Sequence, residues 1–338
     1  MDKRIYADNG YLNVPYILGL KVPFIFCVGG RGTGKTYGAL EYVLDNDIRF
    51  LYMRRTQAQA DLINRAEFSP FKTVAADRGE IITSVPITKY YTAFYRAEME
   101  DDKLIPKGEP IGYTLALSTV SNLRGFDMSD CKLLIYDEFI PEKHERPLKN
   151  EADALFNAYE TINRNRELQG DPALKVLCLA NANDITNPIF DALGVIDKVY
   201  QMQRNKQALT VNMSRGYAIV LLDESPISAR KKTTALYRLT DGSDFANMAL
   251  NNSYNISYEK PNVNLIEYVP LVIVDGITLY KHKSTGAIYA TYHTSGGAVQ
   301  MDARLYRKQY ARYIEDMDVR GLVTYEKLEI RERLTQLY

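Results

Sequence analysis

The sequence predicts an α/β fold, a mostly parallel central sheet with helices on both faces, followed by a smaller α+β part. Three observations carry this. A glycine-rich turn separates an apolar strand from a helix over residues 24–45; short apolar runs alternate with helical segments to about residue 182; beyond Pro188 the runs shorten and turn signals crowd together.

The strands read as Phe24–Val28, Arg49–Met53, Tyr113–Ser118, Lys132–Tyr136 and Lys175–Leu179, apolar runs flanked by glycine or charge, as in strands buried on both sides. Residues Ile81–Tyr95, rich in Thr, Tyr and Val, read as an antiparallel insertion, and Glu151–Arg166 as a helix with Ala154, Leu155, Ala158 and Ile162 at helical spacing. Residues 206–258, with the basic cluster Arg230-Lys231-Lys232 and the polar turn Asp241-Gly242-Ser243, read as a connector. Residues 265–293 read as a hairpin or meander with turns at Asp275-Gly276 and Thr285-Gly286, and Asp302–Tyr338 as helical. The expected division is 1–203, a linker at 204–258, and a C-terminal domain at 259–338.

Composition narrows the function classes. With 338 residues, 46% hydrophobic and 25% charged, the chain has the make-up of a globular protein, which excludes wholesale disorder and collagen-like or disulfide-scaffold chains. Lys plus Arg equals Asp plus Glu at 42 each, so no global basic field marks a polyanion binder. The balance is uneven along the chain, however: 24 basic against 28 acidic residues up to Met202, then 18 against 14. A basic surface is therefore expected in the C-terminal part. No apolar run approaches the ~18 residues of a membrane span, and the N-terminus lacks a signal-like apolar stretch, so neither membrane nor export is expected. Cys27, Cys131 and Cys178 lie in apolar runs and read as reduced, buried thiols; with His144, His282 and His293 scattered, no protein-built metal cage is expected.

The sharpest motif is Gly29-Gly30-Arg31-Gly32-Thr33-Gly34-Lys35-Thr36, a GxxxxGK[ST] P-loop between the strand FIFCV and the helix beginning TYGAL. Backbone N–H groups of such a turn, aimed by the helix N-terminus, surround phosphate oxygens; Lys35 would reach the β/γ-phosphates and the Thr36 hydroxyl would ligate Mg²⁺. The apolar strand Leu133–Tyr136 ends in Asp137-Glu138, where Asp137 can hold Mg²⁺ through water and Glu138, pointing the other way, can polarise attacking water. A third strand ends at Asn181, a candidate sensor of the γ-phosphate or an ordinary turn residue. Arg164, with Arg166 as rival, closes the predicted helix and could serve as an arginine finger; two arginines there also suit the negative end of the helix dipole. Arg54-Arg55 and Arg124-Gly125 are weaker candidates for nucleotide or polyanion contact. In the tail, Arg304, Lys308 and Arg312 share a helical face beside a stripe of Tyr306, Tyr310 and Tyr313, which suits either nucleic-acid phosphates or a solvated surface.

With GGRGTGKT, FLYMRRT, LLIYDEF, TINRNRE, LCLANAN followed by Asn187-Pro188, and RLTDGSDFANMALNN at 238–252, the chain resembles the phi-29-like packaging ATPases of small tailed phages, and more distantly the large terminase subunits. The resemblance implies a P-loop ATPase of the additional-catalytic-glutamate class (ASCE), using ATP and Mg²⁺, that forms a homo-oligomeric ring, a pentamer in the family. The ring sits on the portal of a preformed capsid and drives double-stranded DNA inward. It implies nucleotide binding by Lys35 and Thr36, Mg²⁺ and water chemistry by Asp137 and Glu138, and Arg164 supplied to a neighbouring subunit. It also implies a strand inserted between the P-loop and acidic strands, and action in the host cytoplasm, transiently on the procapsid. Two-metal nuclease cleavage needs several convergent carboxylates, whereas residues 265–293 offer Glu267 and Asp275 alone. The resemblance to large terminases, which carry a nuclease domain of ribonuclease-H type after the ATPase domain, thus implies that the C-terminal part is an RNase H-like, nuclease-inactive domain for packaging RNA, portal or DNA. A RecA-like or AAA-type helicase is the alternative; a nucleotide kinase, a GTP switch and a non-catalytic RNA scaffold fit less well.

Overall fold

The computed structural model describes residues 3–123, 127–141, 145, 148–181, 186–222, 230–240, 263–294 and 296–338. Arg124-Gly125, His144, Asn183, Asp241-Gly242-Ser243 and most of the 238–252 motif lie outside the described residues. The chain divides into two compact units, Met1–Asp184 with Gln201–Asn255, and Ile185–Tyr200 with Ile256–Tyr338.

The first unit is built, among the described residues, on nine strands: β1 (Phe24–Gly29), β2 (Phe50–Arg54), β3 (Ile82–Pro86), β4 (Thr92–Glu100), β5 (Lys103–Ala116), β6 (Leu133–Asp137), β7 (Lys175–Asn181), β8 (Leu209–Asn212) and β9 (Tyr217–Leu222). They run in the order β3-β4-β5-β2-β6-β7-β1-β9-β8. The six strands from β5 to β9 in that order are parallel to their neighbours, while β3, β4 and β8 pair antiparallel at the edges. Strands β1, β6, β7 and β9 are buried almost throughout, as apolar runs must be when helices cover both faces of a parallel sheet. The insertion is held down by aromatic packing: Phe50 of β2, Phe71 and Phe94 of β4 form a triangle with ring centroids 5.0–6.3 Å apart.

Two expectations need correction here. The stretch 206–258 is not simply a connector, because its apolar run Tyr217–Leu222 is wholly buried beside β1 and Leu209–Asn212 pairs with it at the sheet edge. A run of six apolar residues next to the P-loop strand gains more from burial than a linker could. The helix expected at Glu151–Arg166 ends at Asn163, since Arg164 and Asn165 take left-handed backbone angles (φ 47° and 57°).

The second unit contains β10 (Tyr268–Val274), β11 (Ile277–His282), β12 (Ile288–Thr291), β13 (Val299–Met301) and β14 (Val323–Tyr325), in the order β13-β10-β11-β12-β14. The expected meander is β10-β11-β12, turning tightly at Asp275-Gly276, both with positive φ. The tail is not all helix: β14 pairs parallel with β12, and β13 pairs parallel with β10 just before the tail. Edge strands of three residues carry too short a pattern to stand out in sequence. From Ala303 to Val319 the chain is helical with one π turn at Arg307–Ala311. It buries Tyr306, Ile314 and Met317 against the sheet core and leaves Arg304, Lys308 and Arg312 exposed.

Candidate nucleotide-binding site

The glycine-rich loop leaves β1 and enters the helix Lys35–Asp45 through Gly34, whose φ of 81° is a left-handed conformation that glycine adopts without strain. Lys35 is buried at 7% exposure, and its ammonium donates to the carbonyls of Gly29 (3.0 Å) and Gly30 (2.8 Å), to Thr33 Oγ1 (3.3 Å) and to Asn181 Oδ1 (3.5 Å). Thr33 is itself fixed by a bond from its hydroxyl to the Gly30 carbonyl, 3.0 Å. Burial pushes the Lys35 pKa down to about 8, against the pull of Asp137.

Strand order brings the acids to the same place. With β7 inserted between β6 and β1, Asn181 lies in register with Gly29 and Asp137 with Leu179. The Thr36 hydroxyl sits 3.2 and 3.1 Å from the two Asp137 carboxylate oxygens. Asp137 also accepts from Tyr52 Oη (2.5 Å), from Arg54 Nη1 (3.4 Å) and, with its other oxygen, from the Glu138 N–H (3.1 Å). Burial, and then the charge of Asp137, hold the Tyr52 phenol well above its ordinary pKa, so it remains a donor. Glu138 follows with φ 58°, its side chain 43% exposed and paired to Arg54 Nη2. The buried end of the sheet thus presents two oxygen ligands suited to a hard divalent cation, one lysine, and a more exposed carboxylate within reach of solvent. A cavity of about 750 Å³ opens beside the loop, lined among others by Asn9, Tyr11, Gly32, Gly34, Tyr37 and Asp77.

Lys35, Thr36, Asp137, Glu138 and Asn181 are therefore gathered as the sequence suggested, around Gly29, Gly30, Arg31, Gly32, Thr33 and Gly34. Arg164 is not gathered with them; it stands exposed at its helix end and pairs with Asp127 at 3.1 Å. Arg166 is bound to main chain, donating to the carbonyls of Ser129 (2.8 Å) and Ile162 (3.5 Å). Arg55 is no surface residue. It is 1% exposed and forks onto Glu151 through Nε (2.8 Å) and Nη2 (3.1 Å) on the opposite face of the sheet.

Comparison with known proteins fits this arrangement. The family described as podovirus DNA encapsidation protein (Gp16) matches residues 1–264. The chain belongs to that family. It is 26% identical over 289 residues to the DNA packaging proteins of Bacillus phages phi29 and PZA, an alignment covering 82% of this chain and 76% of each relative. Among solved structures, its fold is similar to the phi-29 viral genome packaging motor assembly (TM-score 0.61, 20% identity, 97% and 99% of the two chains). It is similar also to the phi-28 gp11 DNA packaging motor (TM-score 0.60, 20% identity, 97% of each).

Tyr52 was missed by sequence reasoning, although its place two residues before Arg54 in one strand puts both on the Asp137 face. Lys231 was seen only as part of a basic cluster, because sequence spacing gives no sign that it meets a loop 200 residues earlier.

Proposed function

We propose that this encapsidation-family chain is the ATP-hydrolysing subunit of a homo-oligomeric ring that drives double-stranded viral DNA into a preformed capsid. The observation that carries the hydrolytic reading is the convergence of Thr36 and Asp137 oxygens beside the Lys35 ammonium, with Glu138 next in line. This donor set fits Mg²⁺–ATP: oxygen ligands for a hard cation, loop N–H groups and an ammonium for phosphates. Thr36 and Asp137 would hold the cation; the bound nucleotide supplies the phosphoanhydride whose cleavage powers movement. The cavity beside the loop has the volume of a small-molecule site and would take base and ribose.

Glu138 accepts the proton of the attacking water at its carboxylate, and its pairing with Arg54 sets where that carboxylate lies. Asn181, hydrogen-bonded to Lys35, would respond when the terminal phosphate leaves. Arg164 is the better trans finger of the two candidates, because its ion pair with Asp127 is solvent-exposed, whereas Arg166 is half-buried and tied to carbonyls of its own subunit. In mixed rings, Arg164→Ala subunits should poison activity beyond their share; inhibition proportional to the mutant fraction would place the finger within one subunit. A pentameric ring acting in the host cytoplasm on the procapsid portal completes the reading. The second unit, with its exposed Arg304, Lys308 and Arg312 and a meander whose first strand takes a parallel partner, is read as an RNase H-like domain facing packaging RNA, portal or DNA.

The deciding experiment measures ATP turnover by the full chain with and without blunt duplex DNA, alongside a strand-separation assay. Stimulation without unwinding is expected. Unwinding would favour a helicase, and no turnover under either condition would remove the motor.

A further inference from the structure

The basic cluster Arg230-Lys231-Lys232 follows β9, the strand beside β1, and it does not simply solvate a surface. Lys231 is half-buried, and its ammonium donates to the main-chain carbonyl of Arg31 at the tip of the glycine-rich loop. It lies directly over Gly32, where a Cβ would stand 2.6 Å from Nζ. The lysine is aimed from behind. The Thr234 hydroxyl closes a turn on the Lys231 carbonyl (2.9 Å), the Thr233 hydroxyl does the same on Arg230 (2.8 Å), and the ammonium lies 5.6 Å from the ring centre of buried Tyr237.

Charge completes the picture. Burial first, and then the neighbouring Arg31 cation, lower the Lys231 pKa, and the Lys231 charge in turn adds to the lowering at Lys35. Lys231 therefore sits within electrostatic range of both, and its hydrogen-bond acceptor among the described residues is one carbonyl, which occupies one of three ammonium donors. Buried Lys35 and half-buried Lys231 repel each other across the loop, a cost that a bound anion would offset.

We propose that Lys231 is a second phosphate-binding lysine of this nucleotide site, reaching the loop from residues 230–240. Lys35 approaches from inside the loop and Lys231 from its tip, so a nucleotide polyphosphate is held by two ammonium groups rather than one. Lys231's role rests on the loop being a nucleotide site, and the test separates the two.

The test is calorimetric titration of the full chain with ATP and with ADP, for wild type, Lys35→Met, Lys231→Met and Lys231→Arg, at low and high salt. Lys231→Met should weaken both nucleotides roughly tenfold at low salt, the low end for a hydrogen bond to a charged group. The gap should shrink at high salt, because the lost interaction is ionic and partly exposed. Lys231→Arg should stay near wild type. If Lys231→Met binds like wild type while Lys35→Met fails, the second lysine is wrong and the nucleotide site stands. A deficit that ignores salt would make Lys231 only a prop for the loop and overturn the proposal. A wild-type chain that binds neither nucleotide would sink the site itself.

Discussion

Two trios of side chains lie back to back at the same end of the first unit's sheet, each an arginine, a tyrosine and a carboxylate, with opposite fates. On one face Arg54 and Tyr52 bind the carboxylate of Asp137; on the other, Arg55 and Tyr136 bind that of Glu151, with the Tyr136 hydroxyl 3.0 Å from Glu151 Oε1. Neighbours in sequence, Arg54 with Arg55 and Tyr136 with Asp137, are sent to opposite faces because successive strand residues alternate. What differs is what lies next to each acid. Asp137 meets the Thr36 hydroxyl and is followed by the 43% exposed Glu138, so its face opens to solvent and can exchange ligands. Glu151, at 1% exposure, accepts from Arg55, Tyr136 and the Leu148 N–H, and every contact is internal. The same chemical kit makes a candidate site where it stops at solvent and a structural pin where it is sealed.

The sharpest way to break this comparison is to disable each face separately. Glu138→Gln keeps size and hydrogen bonding but removes the base, so hydrolysis should fall about 10²–10⁴-fold. ATP binding by titration and the denaturation midpoint should stay near wild type. Turnover close to normal would mean that the open face does not carry the chemistry.

On the sealed face the expected loss is of stability. Arg55→Ala leaves the Glu151 carboxylate buried without its main partner, and removing one member of a buried pair typically costs about 3–5 kcal/mol. Replacing both, as Arg55→Met with Glu151→Leu, removes the uncompensated charge and should recover much of that loss. Urea denaturation reads both. If Arg55→Ala were as stable as wild type yet failed to bind nucleotide, the two arginines would have their assignments exchanged.

How far the sequence carries depends on whether a feature is local. The loop Gly29–Thr36 and the acids Asp137-Glu138 are legible because strand, turn and helix follow one another without interruption. The insertion of β7 between the loop strand and the acidic strand was expected only through family resemblance, and the observed order agrees. Arg55 was read as a weak candidate for nucleotide or polyanion contact because its partners, Glu145 and Glu151, lie about ninety residues away and only the fold brings them near. Strand β9 was passed over because the polar segments around it lowered its contrast, although its six apolar residues were the visible signal. Lys231 was illegible for a further reason: its meaning depends on a single main-chain carbonyl of a distant loop, which has no sequence pattern.

The paired phenols allow the finest test, because each removes one hydroxyl from matching positions. Tyr52→Phe and Tyr136→Phe each delete a hydrogen bond to a carboxylate, typically worth about 1.5–3 kcal/mol. Both carboxylates keep other donors, so each variant should lose stability near the low end of that range. The difference should lie in the Mg²⁺ dependence of nucleotide binding. Tyr52→Phe frees one side of Asp137, which then competes differently for the cation, and the Mg²⁺ midpoint should shift several-fold. Tyr136→Phe acts on a carboxylate with no access to the loop, so its midpoint should match wild type while its denaturation curve moves. Equal midpoints in both variants would mean that the Tyr52 bond serves packing alone, and that the two faces differ less than their solvent exposure implies.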